Sequence, residues 1–422
     1  MKFNKWTLGL AAIGVVSLAS AARADEKMSS LQTALSNTTI SGSVSASFNA
    51  ELLGNGSGNG TPADYIPFQG GKQNGFNLDV VRLTIAKPED ESPWASGYQI
   101  DLMFGPDAVG YNPSANGSSG QDYAIKQAYV TLRTPVGNGI DWKIGVFDTI
   151  IGYEVTDAGS NPNYTRSWGY AVEPTEHTGI LGTYVVNSEL TLSAGIANTL
   201  SAGINARAYD YSYYYNYKPN DWNKTFLASA TFTAPSSWGW AGGSSLYLGA
   251  VYGFGGNGNY GYNGYYQSGN QFNLYAGATI NTPWSKLTTG IALDYVHNLG
   301  GGGSDYYYRW WNDDMVVGLY ATYKATDKLS LNGRAEYIHG EAYANEFGSN
   351  YGYNSEAFEF TGTVEYDLWA NVMSRVELRW DHMGSYHSPT AFVDAYDAYY
   401  PYSGNLGAKD SLGLYANIIY KF

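Results

Sequence analysis

From Thr38 to Phe422 the chain alternates in steps of two, and after residue 24 it holds no unbroken apolar run long enough for a membrane helix of about 20 residues. Ile40, Val44, Ala46, Phe48 and Ala50 alternate with Ser41, Ser43, Ser45, Ser47 and Asn49. An extended chain points successive side chains to opposite sides, so this is a strand with one apolar and one polar face. The pattern returns in Tyr98 to Phe104, Leu190 to Ile196 and Leu246 to Phe254. It ends with Leu412, Leu414, Ala416, Ile418, Tyr420 and Phe422 on one face. The chain is rich in Gly (52) and Tyr (40), and only 14% of its residues are charged, against about 25% in soluble domains. The absence of Cys excludes disulfide scaffolds, thiolate metal sites and cysteine nucleophiles. A formal charge of −14 excludes nucleic-acid binding driven by net positive charge.

Sixteen strands can be read: 38–51, 76–87, 97–105, 123–134, 140–147, 179–187, 189–197, 224–234, 244–255, 270–282, 287–298, 314–325, 329–339, 357–368, 372–382 and 410–422. Short connections such as Pro135 to Gly139 and Trp369 to Asn371 alternate with long ones, among them 148–178 and 383–409. The expected fold is all-β: a transmembrane antiparallel up-and-down β-barrel of about 16 strands, with long extracellular loops and short periplasmic turns. A soluble propeller has a similar strand density without the short-long alternation, and a β-helix would show a fixed short repeat. Residues 1–24 have a basic start, a short apolar stretch and Ala22-Arg23-Ala24, the layout of a secretory signal peptide. Its removal takes away Lys2, Lys5 and Arg23 and shifts the formal charge to −17. Residues 25–37 form a short periplasmic segment, and 38–422 form one barrel domain.

The charges obey the same parity. Asp101, Asp141, Asp294, Arg82, Arg133, Lys143, Lys324 and Lys421 share the polar face. The densest charged wall is Arg334, Glu336, Glu359, Glu365, Asp367, Arg375, Glu377, Arg379 and Asp381. A basic group on the lipid face at mid-membrane costs about 2–4 kcal/mol, so these residues should line the interior. There they either steer ions through water or form structural cross-strand pairs. Trp94, Tyr98, Trp142, Trp284, Trp369 and Trp380 sit near strand ends, as interfacial girdles require. About sixteen strands leave room for an aqueous lumen.

Three stretches around the third long connection carry a resemblance: GVFDTIIGYE (145–154), NPNYTRSWGY (161–170) and EPTEHTGILGTY (173–184). They resemble the putative beta-barrel porin-2, OmpL-like family. The resemblance implies a Gram-negative outer-membrane porin that lets small hydrophilic solutes diffuse. In many sixteen-stranded porins the third loop folds inward and narrows the pore. By that analogy Glu154, Asp157, Arg166, Glu173, Glu176 and His177 are constriction candidates; the bland alternative is that such residues only pin the loop to the wall. The final Tyr420-Lys421-Phe422 resembles the aromatic-ending strand that barrel-assembly machinery reads.

Tyrosines crowd the long loops: Tyr209 to Tyr217, Tyr260 to Tyr266, Tyr306 to Tyr308 and Tyr396 to Tyr402. They support a rival reading, a surface-binding or adhesion protein on a plugged barrel, because ring faces stack on sugars or on each other. No Gly-x-Ser-x-Gly elbow is present, so no catalytic residue is assigned and no enzyme is expected. His382, His387 and Asp381 are too few for zinc, and no metal or cofactor is expected. The expected partners are outer-membrane lipid and lipopolysaccharide, the assembly machinery and small hydrophilic solutes. No subunit face is legible that would decide between homotrimer and monomer.

Overall fold

The computed structural model describes residues 37–53, 72–111, 123–200, 203–210, 218–219, 221–254, 270–298, 312–340, 355–383 and 410–422. The signal segment, nearly all of 25–37 and nearly all of the Tyr-rich stretches lie outside the described residues.

Strands β1 (Thr39–Leu53), β2 (Gly75–Lys87), β3 (Ser96–Phe104), β4 (Tyr123–Thr134), β5 (Ile140–Asp148), β6 (Glu176–Val185), β7 (Leu190–Ala197) and β8 (Thr225–Thr233) make the first half of the wall. Strands β9 (Ser245–Phe254), β10 (Asn270–Asn281), β11 (Leu287–Asn298), β12 (Asn312–Lys324), β13 (Leu329–Gly340), β14 (Ser355–Trp369), β15 (Val372–Met383) and β16 (Asp410–Lys421) make the second. Each pairs antiparallel with its sequence neighbours, and β16 pairs with β1, so the sheet is a closed barrel. Closure leaves no unpaired edge, the condition for crossing a bilayer with strands. At the seam Gly42 and Phe422 exchange backbone hydrogen bonds of 2.9 and 3.0 Å, so the last residue of the chain completes the ring.

The expected faces hold. On β16, Ser411, Tyr415, Asn417 and Ile419 are buried inside, while Ile418, Tyr420 and Phe422 are exposed outside. Leu248, Leu319, Phe360 and Val376 belong to the same outer band, which runs around the barrel. A continuous apolar surface of this extent requires lipid. Trp94, Trp238, Trp240, Trp284 and Trp369 are exposed at the short-turn end, and Trp380 stacks on Phe360 toward the other.

One boundary differs in a way that matters. β6 begins at Glu176, three residues earlier than its hydropathy suggests. Glu176 and His177 pair with Asp148 and Phe147, which carries the ladder to the root of the third loop. Backbone pairing does not need an apolar side chain, so alternation underestimates a strand whose last rungs are polar.

Candidate functional site

The connection between β5 and β6 folds into the barrel. Its roots are fastened first. Thr149 N donates to Thr175 O at 3.0 Å, which closes the loop at its neck. Buried Lys126 on β4 bridges both flanking strand ends: it pairs with Asp148, the last residue of β5, and lies 3.1 Å from Glu176, the first of β6. His177 contacts Thr149 Oγ1 at 3.1 Å and the Thr199 carbonyl at 3.4 Å.

The first limb of the loop is apolar. Ile151 packs with Ala197, Leu227, Val251, Tyr275 and Ala292 on strands β7 to β11. Tyr153 stacks on Tyr320 of β12, with ring centroids 4.1 Å apart. Two wall glycines make room. A Cβ on Gly249 would sit 2.5 Å from Ile151, and one on Gly290 would sit 2.0 Å from the Tyr153 hydroxyl.

From Glu154 onward the contacts are ionic. Arg334 on β13 reaches Glu154 at 2.8 Å, Glu359 of β14 at 3.1 Å and the Thr165 carbonyl at 2.7 Å. Glu336 accepts from Trp168 N at 2.7 Å and Gly169 N at 3.2 Å, the first amides of the short helix α1 (Trp168–Val172). Ser167 caps that helix by accepting from Tyr170 N, and Glu154 in turn accepts from Ser167 N at 3.0 Å. Glu377 on β15 takes Tyr164 N at 2.6 Å, Thr165 N at 2.9 Å and the Thr165 hydroxyl at 2.6 Å. Arg375 donates to the carbonyls of Asn161 and Asn163 at 3.1 and 3.0 Å. Arg379 is held by Asp381 at 2.7 and 2.8 Å, donates to the Arg166 carbonyl at 2.6 Å and lies under the Trp168 ring. Lys421 donates to the Gly159 carbonyl at 2.8 Å.

The pattern has a single physical reason. The loop is largely irregular, so many of its amides and carbonyls lack partners in a helix or ladder, and buried backbone groups must be paired. The wall supplies guanidinium groups for the carbonyls and carboxylates for the amides. A second buried cluster ties in other loops: Lys72 lies 2.7 Å from Asp107 and 3.3 Å from Asp79, and Tyr164 donates to Asp79 at 2.9 Å.

Five of the six constriction candidates therefore fall into two groups. Glu154, Arg166 and Glu173 are buried between loop and wall, while Glu176 and His177 are buried strand residues at the neck. Arg166 donates to the Thr156 and Tyr164 carbonyls inside the loop. Glu173 hydrogen-bonds Asp294 of β11; burial first, and that second carboxyl next, push its pKa well above the carboxylate range. Asp157 alone keeps a partly exposed side chain; it caps Gly159 and Ser160 and lies 3.9 Å from Arg82. Of the charged wall, Arg334, Glu336, Glu359, Arg375, Glu377, Arg379 and Asp381 are buried, whereas Glu365 is half-buried opposite Arg375 and Asp367 is exposed near the turn. Sequence reading missed Lys72, Asp79, Asp107, Lys126 and Trp168. Asp79 left a legible sign, a lone carboxylate between Leu78 and Val80 on an alternating strand. Lys72, which lies in a long loop, left none.

Comparison with known proteins follows the same lines. The family model for putative beta-barrel porin-2, OmpL-like, matches residues 37–422, and the chain belongs to that family. No curated protein matches the sequence. Among solved structures, an anion-selective porin from Comamonas acidovorans aligns with a TM-score of 0.57 at 11% identity, over 91% of this chain and 99% of that one. The outer membrane channel DcaP of Acinetobacter baumannii aligns with a TM-score of 0.54 at 13% identity, over 91% and 97%. Salmonella typhi OmpF, in complex with daunomycin, aligns with a TM-score of 0.54 at 10% identity over the same shares. At these identities the likeness is one of fold.

Proposed function

Taking that family membership as the premise, we propose that the inward loop sets the bore of an outer-membrane channel through which small hydrophilic solutes diffuse passively. The observation that carries this reading is the docking of Glu154 to Gly169 on the inner faces of β13 to β15. A loop fixed at that many points narrows the lumen without moving during transport, so selection is by width and by fixed charge. The exposed edge of the loop carries Val155 and Ser160, with Asp157 between them partly exposed, and these face the remaining water.

The buried arginines cannot act as ion guides, because Arg334, Arg375 and Arg379 are spent on loop carbonyls and wall carboxylates. Glu336, Glu359, Glu377 and Asp381 are tied up with them, so the mild cation preference rests on the chain's overall excess of acid. Barrel-assembly machinery would read the strand that ends in Phe422, and lipopolysaccharide would cover the outer rim. A homotrimer fits the solved trimer form of the fold-related OmpT from Vibrio cholerae, at 10% identity. Liposome swelling with sugars of graded size tests the channel. Swelling that falls steeply with sugar size is expected. No swelling with any sugar removes the reading, and planar-bilayer reversal potentials that favour chloride remove the cation preference.

A further inference from the structure

On the outer face, three strand pairs end at the long-loop side in one repeated unit. β11 carries Tyr295 and His297, β13 carries Tyr337 and His339, and β15 carries Trp380 and His382. In each case the aromatic residue precedes the histidine by two, so both point to the lipid side. The next strand answers with an acid directly opposite in register: Asp313 to His297, Glu356 to His339 and Asp410 to His382. The imidazole Nδ1 hydrogen-bonds that carboxylate in two units, Asp313 and, at 2.8 Å, Asp410, and in the remaining unit it lies 3.7 Å from Glu356. On β15 the aromatic residue shares the same acid, since Trp380 Nε1 donates to Asp410 at 3.0 Å. Tyr295 stacks on His297 and Trp380 on His382, with centroids 6.4 and 5.4 Å apart. All three histidines are partly exposed.

The units recur on alternate strands, which spaces them about 10 Å apart along the rim. Elsewhere the same rim is built otherwise: Phe48 against Phe76 on β1 and β2, and Tyr252 with Asn270 on β9 and β10. Among the described residues no other histidine faces outward. Tyr295, Tyr337 and Trp380 lie opposite Met315, Phe358 and Leu412, so each histidine stands one outward rung closer to the long loops than apolar residues of the outer face. A histidine held by a carboxylate, as at 297 and 382, is a fixed N–H donor beside an aromatic anchor. The carboxylates are themselves partly exposed, and at 297 and 382 their hydrogen bond to Nδ1 orients the imidazole so that Nε2 is turned away from the acid.

We propose that these three aromatic–histidine–acid units are docking sites for phosphate groups of outer-leaflet lipid. The shared chemistry is a phosphate monoester, more highly charged than the diester of phosphatidylcholine, received by an imidazole N–H in a charge-assisted hydrogen bond. The chain thereby acquires a lipid-reading half, β11 to β16, and a half without such sites.

The test uses the full-length protein at pH 6 in three kinds of vesicle: phosphatidylcholine alone, with added lipopolysaccharide, and with added phosphatidic acid. The readout is the temperature at which the barrel band unfolds on a gel, together with phosphate retained after purification. Both phosphomonoester lipids should raise the wild-type transition above that in phosphatidylcholine, whose phosphate is a diester; a rise with only one identifies the source of the phosphate. The H297Q/H339Q/H382Q variant should lose that rise and most of the retained phosphate, yet unfold at the wild-type temperature in phosphatidylcholine. The corresponding triple Lys variant should keep the rise, and it serves as the test if the Gln variant does not fold. A Gln variant that keeps the full rise, or a Lys variant that loses it, overturns the proposal. Sugar influx in the same vesicles is expected to be unchanged, which separates this outcome from the channel reading.

Discussion

The two limbs of the inward loop are held by opposite chemistries. Ile150 to Tyr153 bury apolar surface against β7 to β12, while Glu154 to Gly169 lie on a bed of arginines and carboxylates on β13 to β15. Apolar packing is undirected and proportional to area, so it fastens the limb without fixing its register. The ionic limb gains little net energy from burying charge, because desolvation offsets most of the attraction. Its benefit is direction: each guanidinium accepts one placement of a carbonyl. Adhesion and register are thus divided between two stretches of one loop.

The largest expected effect comes from breaking the ionic side at its centre. Arg334→Ala leaves Glu154, Glu336 and Glu359 buried without their shared cation, and loss of one partner of a buried pair costs about 3–5 kcal/mol. Single-channel recordings should show a larger, noisier conductance, and unchanged steps would mean the limb does not depend on this network. On the apolar side, Ile151→Ala removes a buried side chain at a cost of about 2–5 kcal/mol. Here the mean conductance should rise less than in the arginine variant, since register is retained; an equal rise would erase the division drawn above. A subtler cut is Glu377→Gln, which weakens the bonds to Tyr164 and Thr165 by about 1–3 kcal/mol. Protease nicking between residues 160 and 166 in detergent should become detectable while the barrel stays folded.

Glu173 gives the comparison a pH axis. Burial and then the neighbouring Asp294 raise its pKa above the value of about 4.3 for a free glutamate. The docked loop thus binds more protons than a released one. Docking is strongest below that reference value and weakens as pH rises toward the raised pKa. Conductance noise should grow with pH in the wild type and stay flat in Glu173→Gln. The smallest effect is expected at the short-turn mouth. There burial first and Asp141 next push Glu89 up to about 7. Below that pH the group is neutral, so the reversal potential should shift away from cations on acidification, and Glu89→Gln should remove the shift.

Much of this was legible beforehand, for reasons that differ by region. Strand parity placed Arg334, Glu336, Arg375, Glu377, Arg379 and Asp381 inside, because lipid penalises charge at every outward position. The identity of their partners was not legible. Arg375 and Arg379 bind backbone carbonyls of Asn161, Asn163 and Arg166, and a carbonyl leaves no trace in a sequence. Alternation also stopped short at Glu176, since β6 continues through polar rungs. The aromatic–x–histidine repeat at 295, 337 and 380 was present in the letters, but it acquired meaning only when register brought Asp313, Glu356 and Asp410 opposite it.

The sequence by itself determined a closed antiparallel wall, because a two-residue hydropathy period with no long apolar run leaves a bilayer protein no other way to satisfy its backbone. The tertiary structure decided how the interior charges are used. Whether an inward arginine meets water or a loop carbonyl depends on where a distant segment comes to rest, and that is set by packing across the lumen rather than by any local pattern.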